Sequence, residues 1–408
     1  MLRPLSRGRT CPEVPMLRRI APTLSIPLAL LFALPGAGAT LDGGAPGIAS
    51  SPAEGDLDGD GWTVADGDCC DGPADGCGPE APWVNPGAFE AAGNGLDDDC
   101  DGTVDNPAAT ACSVAPKLTG LTGADLVQAL DLCRTTVTNP PPAERRWGVL
   151  EAALRRATGT DSDANLVNFQ AAVLTDFGPN NLPVANATMA ALATKTARDA
   201  GDPGFQEVES EPAWADFRVA PLHYDPPGCP AGPFEAVNSA RLRLVVRVPT
   251  NAVGLSFRSN FFSAEFPDQC QQYNDHALAL LTGQAPGIPP DHNILYDAGS
   301  NPVSTNTVFY SVCTPVAGQV CPLGAAGLVG TGFDAGDTGG STSWLTTTAP
   351  VVPGEDIVLE LHVYNMVDGV NNDLLLLDGF EWSLRPSLVV LVDGFESGDS
   401  SRWSQTLP

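Results

Sequence analysis

The chain has 408 residues, enough for more than one domain, and its 49 acidic and 20 basic residues give a formal net charge of −29 at pH 7. A surface this acidic repels nucleic acid and anionic membranes and attracts multivalent cations. These properties exclude nucleic-acid binding and make divalent cations the first partners to consider.

Residues 1–39 have the organisation of a secretory signal peptide. Arg18-Arg19 precedes an apolar stretch from Ile26 to Leu34, and the small residues Ala37-Gly38-Ala39 follow. A membrane span needs about 20 apolar residues, and prolines interrupt this stretch. We therefore expect an exported protein, secreted or held at the cell surface, with no later membrane-spanning segment. Residues 40–55 are rich in Gly, Ala, Pro and Ser and predict a linker.

Two aspartate ladders without Lys or Arg mark a module at residues 56–107. They are Asp56 to Trp62 (DLDGDGW) and Asp97 to Thr103 (DDDCDGT). Each has carboxylates at loop positions 1, 3 and 5 and Gly at position 6, the pattern of EF-hand-type calcium loops. Carboxylates crowded without counter-charges favour a hard divalent cation. We predict Ca²⁺ as the cofactor and expect metal binding and disulfides to hold this short, polar module together.

The predicted ligands are carboxylates and one main-chain carbonyl in each loop. The first site uses Asp56, Asp58, Asp60 and the Trp62 carbonyl, closed by Asp66, Asp68 or Asp71; the second uses Asp97, Asp99, Asp101 and the Thr103 carbonyl, closed by Asp105. The Glu found at position 12 of an EF-hand is replaced by Gly67 and Ala108. The alternative is a solvated acidic linker, but the regular spacing and the neighbouring cysteines favour metal binding.

The cysteines predict disulfide bonds. Ten remain when Cys11 leaves with the signal peptide, and an even number in an exported chain indicates disulfides rather than zinc or a reactive thiol. Proximity along the chain suggests the pairs Cys112–Cys133, Cys229–Cys270 and Cys313–Cys321. Cys69, Cys70, Cys77 and Cys100 are expected to form two bonds inside the module, in a pairing that the sequence leaves open.

Residues 110–384 predict one helix followed by many strands. Ala124 to Cys133 has a helical apolar rhythm with Thr122 as N-cap, whereas Trp147 to Ala157 and Ala187 to Ala197 fit either helix or strand. Turn residues separate runs of period-two alternation, which predict strands at Arg241–Val248, Val253–Phe262, Ala277–Leu281, Thr307–Val312, Asp356–Tyr364 and Leu374–Trp382. The expected fold is mainly β, an antiparallel β-sandwich or jelly roll preceded by the small disulfide-rich calcium module. Residues 385–408 form a tail.

The module has a specific family resemblance. The residues that carry it are Asp56-x-Asp58-Gly59-Asp60-Gly61-Trp62, Asp68-Cys69-Cys70-Asp71, Asn85-Pro86-Gly87-Ala88-x-Glu90 and Asn94-Gly95-x-Asp97-Asp98-Asp99-Cys100-Asp101-Gly102. This segment resembles a metal-binding motif repeated in many exported bacterial proteins, including a copper-binding surface protein of methane oxidisers. The resemblance implies a bound metal. Copper is the weaker alternative to calcium, because the ladders supply oxygens whereas Cu(II) prefers imidazole.

A second resemblance covers roughly residues 130–384. The residues that carry it include Phe257-x-Ser259-x-Phe261-Phe262-Ser263-x-Glu265-Phe266-Pro267, Tyr273-Asn274-Asp275-His276, Gly340-Ser341-Thr342-Ser343-Trp344 and Asp378-Gly379-Phe380-Glu381-Trp382. They are similar to the choice-of-anchor L domain of bacterial surface proteins. The resemblance implies a β-sandwich with no established catalysis and an adhesin-like role, and it favours strand at Trp147–Ala157 and Ala187–Ala197.

Five acidic residues in or beside these segments form a second candidate metal set. They are Glu265, Asp275, Asp368, Asp373 and Asp378. Carboxylates at strand ends can bind calcium, although turn formation is the more common role of such residues.

Catalysis has little support in the sequence. The four histidines are scattered without an H-E-x-x-H motif, and no G-x-S-x-G motif is present. We therefore predict a non-enzymatic protein that attaches to a cell surface, a glycan or a protein. The alternative is a carbohydrate-binding module or a glycoside hydrolase on the same sandwich, with Glu265 and Asp378 as a carboxylate pair.

Overall fold

The computed structural model describes residues 55–72, 74–106, 112, 114–157, 169–209, 217–270, 272–316 and 319–384. The predicted signal peptide, nearly all of the predicted linker and the predicted tail lie outside these residues. The described residues contain twelve β-strands, one α-helix and a few short 3-10 turns. None of their helices has the length and apolar character needed to cross a membrane.

The strands form two antiparallel sheets, as the predicted fold class requires. The first has the order β1 (Gly148–Arg155), β5 (Glu235–Arg247), β11 (Asp356–Met366) and β7 (His276–Thr282), with β4 (Phe217–Val219) also paired to β5. The second has the order β2 (Ala171–Leu174), β3 (Met189–Ala193), β12 (Asp373–Ser383), β6 (Gly254–Ser263), β9 (Gly340–Ser341) and β8 (Val312–Cys313), with β10 (Leu345–Pro350) also paired to β6. The mainly β prediction is confirmed.

The main core lies between the two sheets. Alternate residues of β5 and β11, such as Leu244 and Leu361, meet Leu375 and Leu377 of β12 there. The intervening Leu374 and Leu376 face the other side of the second sheet and join a separate cluster with aromatic rings from the covering loops. Because this sheet is buried on both faces, β12 can carry four consecutive leucines instead of alternating with polar residues.

Most of the predicted elements are present. Helix α1 (Gly123–Ala129) begins at the expected N-cap, where the Thr122 hydroxyl accepts from the Asp125 N–H and the Asp125 carboxylate accepts from the Thr122 N–H. The two ambiguous segments contain β1 and β3, which confirms the assignment to strand.

The predicted strand Thr307–Val312 is wrong, since only Val312 of this run belongs to a strand. Its backbone folds into a turn instead. The N–H groups of Thr307 and Val308 donate to the Ser304 carbonyl, and the Phe309 N–H donates to Asp297 Oδ2 at 2.7 Å. These local acceptors take the place of a ladder partner.

The described cysteines form five disulfides. Cys112–Cys133, Cys229–Cys270 and Cys313–Cys321 are the pairs suggested by proximity, and the two bonds inside the module are Cys69–Cys100 and Cys70–Cys77. Cys70, Ala81 and Val84 form the small buried core of the module.

The module packs directly on the sandwich. Asn251, in the turn between β5 and β6, accepts from the Phe89 N–H at 2.9 Å and donates to the Phe89 carbonyl at 2.8 Å. The guanidinium of Arg146 lies 4.8 Å from the centroid of the Trp62 ring. The ladders are therefore fixed against the sandwich by both polar and cation–π contacts.

Candidate metal centre

The two aspartate ladders fold into loops with the same hydrogen bonds. The first carboxylate of each loop accepts from the N–H of the Gly at position 6, Asp56 from Gly61 and Asp97 from Gly102, both at 2.9 Å. Both of these glycines have φ +93°, a left-handed conformation that favours glycine. The position-5 carboxylates, Asp60 and Asp101, accept from the N–H groups of Trp62 and Thr103, whose carbonyls are the predicted ligands. The spacing therefore specified the loop conformation.

The first loop forms two overlapping groups of carboxylates. Oxygens of Asp56, Asp58 and Asp60 lie within 4.8 Å of one another, and so do oxygens of Asp58, Asp68 and Asp71. Asp58 belongs to both groups and lies between them. Two of the three residues suggested to close this site, Asp68 and Asp71, are therefore brought to it.

The second loop forms one group, in which Asp97 and Asp99 lie within the same limit of Glu90. Glu90 comes from the segment before the loop, and its Oε2 accepts from the Asp98 N–H at 2.9 Å. The ligand prediction missed Glu90. Its signal was the Asn-Pro-Gly-Ala-x-Glu element of the family motif, which places an acid in a fixed turn ahead of the ladder.

Three other predicted ligands are held away from these groups by their own hydrogen bonds. The Thr63 hydroxyl donates to Asp66 Oδ2 at 2.7 Å, and the Asn106 amide donates to Asp101 Oδ2 at 2.6 Å. Asp105 accepts from the Gly93 N–H at 2.6 Å. These carboxylates stabilise turns around the loops and do not join the converging groups.

Each converging set contains buried carboxylate oxygens that accept no hydrogen bond. In the first loop they are Asp58 Oδ2 and Asp68 Oδ2, and in the second they are Glu90 Oε1 and Asp99 Oδ1. A buried anion without a donor is costly, and a cation is one of the few partners that can satisfy several such oxygens at once. The unpartnered oxygens therefore point to ion binding at both loops.

The electrostatics of the loops lead to the same conclusion. Burial, with the charge of Asp58 adding to it, raises the pKa of Asp60 to about 7 and that of Asp68 to about 6. Burial also raises the pKa of Glu90 and of Asp99, although Arg134, 3.7 Å from Asp99 Oδ2, opposes the shift at Asp99. A bound cation would remove the repulsion that causes part of these shifts.

The second candidate set, in the sandwich, divides into separate locations. Burial raises the pKa of Glu265 and of Asp275; the charge of nearby Asp373 adds to both shifts, and the charge of Glu265 adds to that of Asp275. The Asp378 carboxylate instead accepts from the N–H groups of Val184 and Gly379, and it lies beside Asp131. Asp368 accepts from the Val370 N–H within its own turn and lies near Glu265.

Comparison with known proteins gives a family match for the second part of the module. Residues 77–106 match the family described as "Putative metal-binding motif" (Cu-binding MopE), which covers Glu90 and the second ladder. No curated protein sequence matches the chain. Among solved structures, the enzymatically active domain of tailspike protein 4 from bacteriophage CBA120 is 10% identical over 57% of this chain and 19% of its own, with a TM-score of 0.19. A similarity at that level supports no fold or functional assignment.

Proposed function

We propose that this protein is an exported, non-enzymatic surface protein whose module binds Ca²⁺ and whose β-sandwich, of the choice-of-anchor L type, attaches to a cell surface, a glycan or a protein. The observation that carries the metal site is the convergence of carboxylates on buried oxygens without donors, at Asp58 and Asp68 in one loop and at Glu90 and Asp99 in the other.

The donor atoms favour calcium over copper. All three converging groups are made of carboxylates, and the four cysteines of the module are joined in disulfides, so none of them offers a thiolate. Calcium takes oxygen ligands in flexible geometry, whereas copper prefers imidazole, thiolate or thioether. The family description that names copper is therefore better read here as a general metal-binding motif.

The packing of the module supports a structural role for the ion. Asn85 and Phe89 of the module hydrogen-bond with the β5–β6 turn, and Asp99 of the second loop lies 3.7 Å from Arg134, so an ion that rigidifies the loops also rigidifies these contacts. The proposed attachment through the sandwich rests on the resemblance of residues 130–384 to the choice-of-anchor L domain.

Removal of calcium tests the proposal. With excess chelator, the melting temperature should fall and protease should cleave within residues 56–106, and added Ca²⁺ should reverse both effects. Asp58→Asn should weaken Ca²⁺ binding about tenfold or more, because Asp58 contributes to two of the groups and ligand charge sets affinity. The matched control is Asp75→Asn, an exposed aspartate of the same module outside every group.

Elemental analysis of the protein purified from its export compartment identifies the ion. Calcium in excess over copper is the expected result. Metal-free protein that resists protease equally well with and without chelator would contradict the proposed function.

A further inference from the structure

A second group of acids lies in the sandwich, at the end where β6 leads to β7 and β11 leads to β12. Asp373 is the first residue of β12 and pairs with Ser263, the last residue of β6. Asp275 directly precedes β7. Asp373 is 0% exposed and Asp275 is 1% exposed, so both carboxyl groups are removed from solvent.

These two carboxyl groups lie side by side with almost no hydrogen-bond donors. The Met366 N–H donates to Asp275 Oδ1 at 2.6 Å. Asp275 Oδ2 and both oxygens of Asp373 have no partner in good hydrogen-bond geometry, although the neighbouring Asp275 carboxyl and Ser263 hydroxyl partly offset the effect of burial on the pKa of Asp373. Glu265 adds a third acid nearby, and its Oε1 accepts from the Asn371 amide at 3.2 Å.

Other buried acids of the same sandwich accept several hydrogen bonds. Asp378 is also 0% exposed and also lies on β12, but backbone N–H groups of Val184, Ala185 and Gly379 donate to its carboxylate. Asp297, 1% exposed, accepts from three backbone N–H groups and from the Asn301 amide. Asp275 Oδ2 and both oxygens of Asp373 therefore lack the backbone donors that satisfy these other buried acids of the sandwich.

The side chain of Tyr310 adds a further polar group close to these carboxylates. The Tyr310 hydroxyl is buried and has no hydrogen-bond partner, although it lies close to the hydroxyls of Ser263 and Thr305. Burial, followed by the charge of Asp373, raises the pKa of Tyr310, which places the hydroxyl within electrostatic reach of that carboxylate. The Ser263 and Thr305 hydroxyl oxygens are themselves 3.4 Å apart. Neutral oxygens thus surround the acidic pair.

Burying these three acidic side chains together without a cation is electrostatically costly. Burial raises the pKa of Glu265 to about 8 and that of Asp373 to about 6, and it raises the pKa of Asp275 well above its usual range, with neighbouring acids adding to the shift at Glu265 and Asp275. A cation among these oxygens would offset the repulsion.

We propose that Asp275 and Asp373, completed by Glu265 and the hydroxyls of Ser263, Thr305 and Tyr310, bind a hard, oxygen-preferring cation of the calcium class. Among the described residues, groups of three carboxylates with oxygens within 4.8 Å of one another occur only in the module. In the sandwich two carboxylates are supplemented by hydroxyl oxygens, a donor set that suits calcium and disfavours copper and zinc. The ion would join the β6–β7 and β11–β12 connections, and with them the two sheets.

The test counts bound calcium in the full chain by equilibrium dialysis with radioactive Ca²⁺. Asp373→Asn should lose one ion per chain relative to the wild type, since an amide can instead donate to Asp275. Asp378→Asn, equally buried on the same strand, should lose none. An unchanged ion count in Asp373→Asn would overturn the proposal and indicate a carboxyl pair that shares a proton.

A second variant guards against misfolding of the first. Tyr310→Phe removes the hydroxyl but keeps the ring, whose centroid lies 4.9 Å from that of Phe266. It should weaken the affinity for one ion several-fold without changing the circular dichroism spectrum. Unchanged affinity at every site would count against the proposal.

The double variant Asp58→Asn with Glu90→Gln separates this site from the module. It should retain one calcium ion per chain, and the addition of Asp373→Asn should remove that ion. A double variant that binds no calcium would leave the module proposal intact and refute the sandwich site. Calcium bound equally by the double variant and the wild type would refute the module sites alone.

Discussion

His362, in the middle of β11, is a buried residue whose protonation state is set by its surroundings. Its side chain is buried, both ring nitrogens lack a hydrogen-bond partner, and Glu360 Oε2 lies 3.8 Å from Nε2. Across the sheet it pairs with Arg241 on β5 and with the uncharged Leu278 on β7. Burial, with Arg241 adding to it, lowers the pKa of His362, although Glu360 opposes the shift. The folded protein therefore favours the neutral form of the ring more strongly than the unfolded chain does.

This residue should make the protein sensitive to acid. The folded pKa lies below the unfolded value of about 6.5, so below that pH the unfolded chain binds more protons and the free energy of unfolding falls as pH falls. One such proton contributes up to about 1.4 kcal/mol per pH unit. Denaturant titrations between pH 7 and pH 5 should show that the free energy of unfolding falls less steeply with pH in His362→Gln than in the wild type. His292→Gln, at an exposed position, serves as control, and equal slopes in all three proteins would contradict this account.

The metal loops show which site residues a sequence can specify. The ladder spacing specified the loop, because positions 1 and 6 close on each other through a local hydrogen bond in both loops. It did not specify the distant carboxylate that completes each group. Glu90 reaches the second loop from the segment that precedes it. Asp66 turns away from the first loop because the Thr63 hydroxyl donates to its carboxylate. The Cys69–Cys100 bond, which joins the second loop to the segment after the first loop, also required the three-dimensional structure.

At the scale of elements, helix α1 shows a start signal that acts locally. Thr122 and Asp125 form a reciprocal capping box, and Lys117 Nζ lies 2.8 Å from Asp125 Oδ2. The apolar face of the helix, with Leu126 and Leu130, is fully buried in the main core. Because the cap satisfies N–H groups that the helix leaves open, its loss should weaken the packing of that face.

Thr122→Ala should therefore lower the free energy of unfolding by about 1 kcal/mol. The matched control is Thr119→Ala, an exposed threonine three residues earlier and outside the helix, which should have little effect. Chemical denaturation followed by circular dichroism gives both values. A loss of equal size in the two variants would show that the cap has no special contribution.

Strands were predictable where their burial was one-sided. Arg241–Val248 alternated because one face of β5 enters the core, and the alternation predicted the strand. The ambiguous segment Ala187–Ala197 contains β3, whose residues are buried on both faces and are mostly alanine, so periodicity could not distinguish strand from helix there. Thr307–Val312 shows the opposite error, in which an alternating run became a turn through contacts with Asp297 and Ser304.

At the scale of the whole molecule, one asparagine links the metal loops to the sandwich. The Asn85 amide donates to Asp60 Oδ2 at 2.7 Å, and its Oδ1 accepts from the Thr250 hydroxyl at 2.6 Å. Asp60 belongs to the first carboxylate group, and Thr250 lies in the turn between β5 and β6. Asn85 thereby links the carboxylates that would bind the ion in the first loop to a turn that joins strands of different sheets.

This connection predicts that calcium stabilises the sandwich as well as the module. Thr250→Val keeps the branched side chain but removes the hydroxyl that donates to Asn85, so the rise in melting temperature on adding Ca²⁺ should become smaller. The affinity for Ca²⁺ should change less, because no ligand is altered. Thr346→Val, on β10 in the same sheet as β6, is the control and should keep the full rise. The measurement is calorimetry with and without excess Ca²⁺. An equal rise in melting temperature in Thr250→Val and the wild type would contradict this prediction. It would mean that Ca²⁺ binding to the module does not stabilise the sandwich through the contact at Asn85.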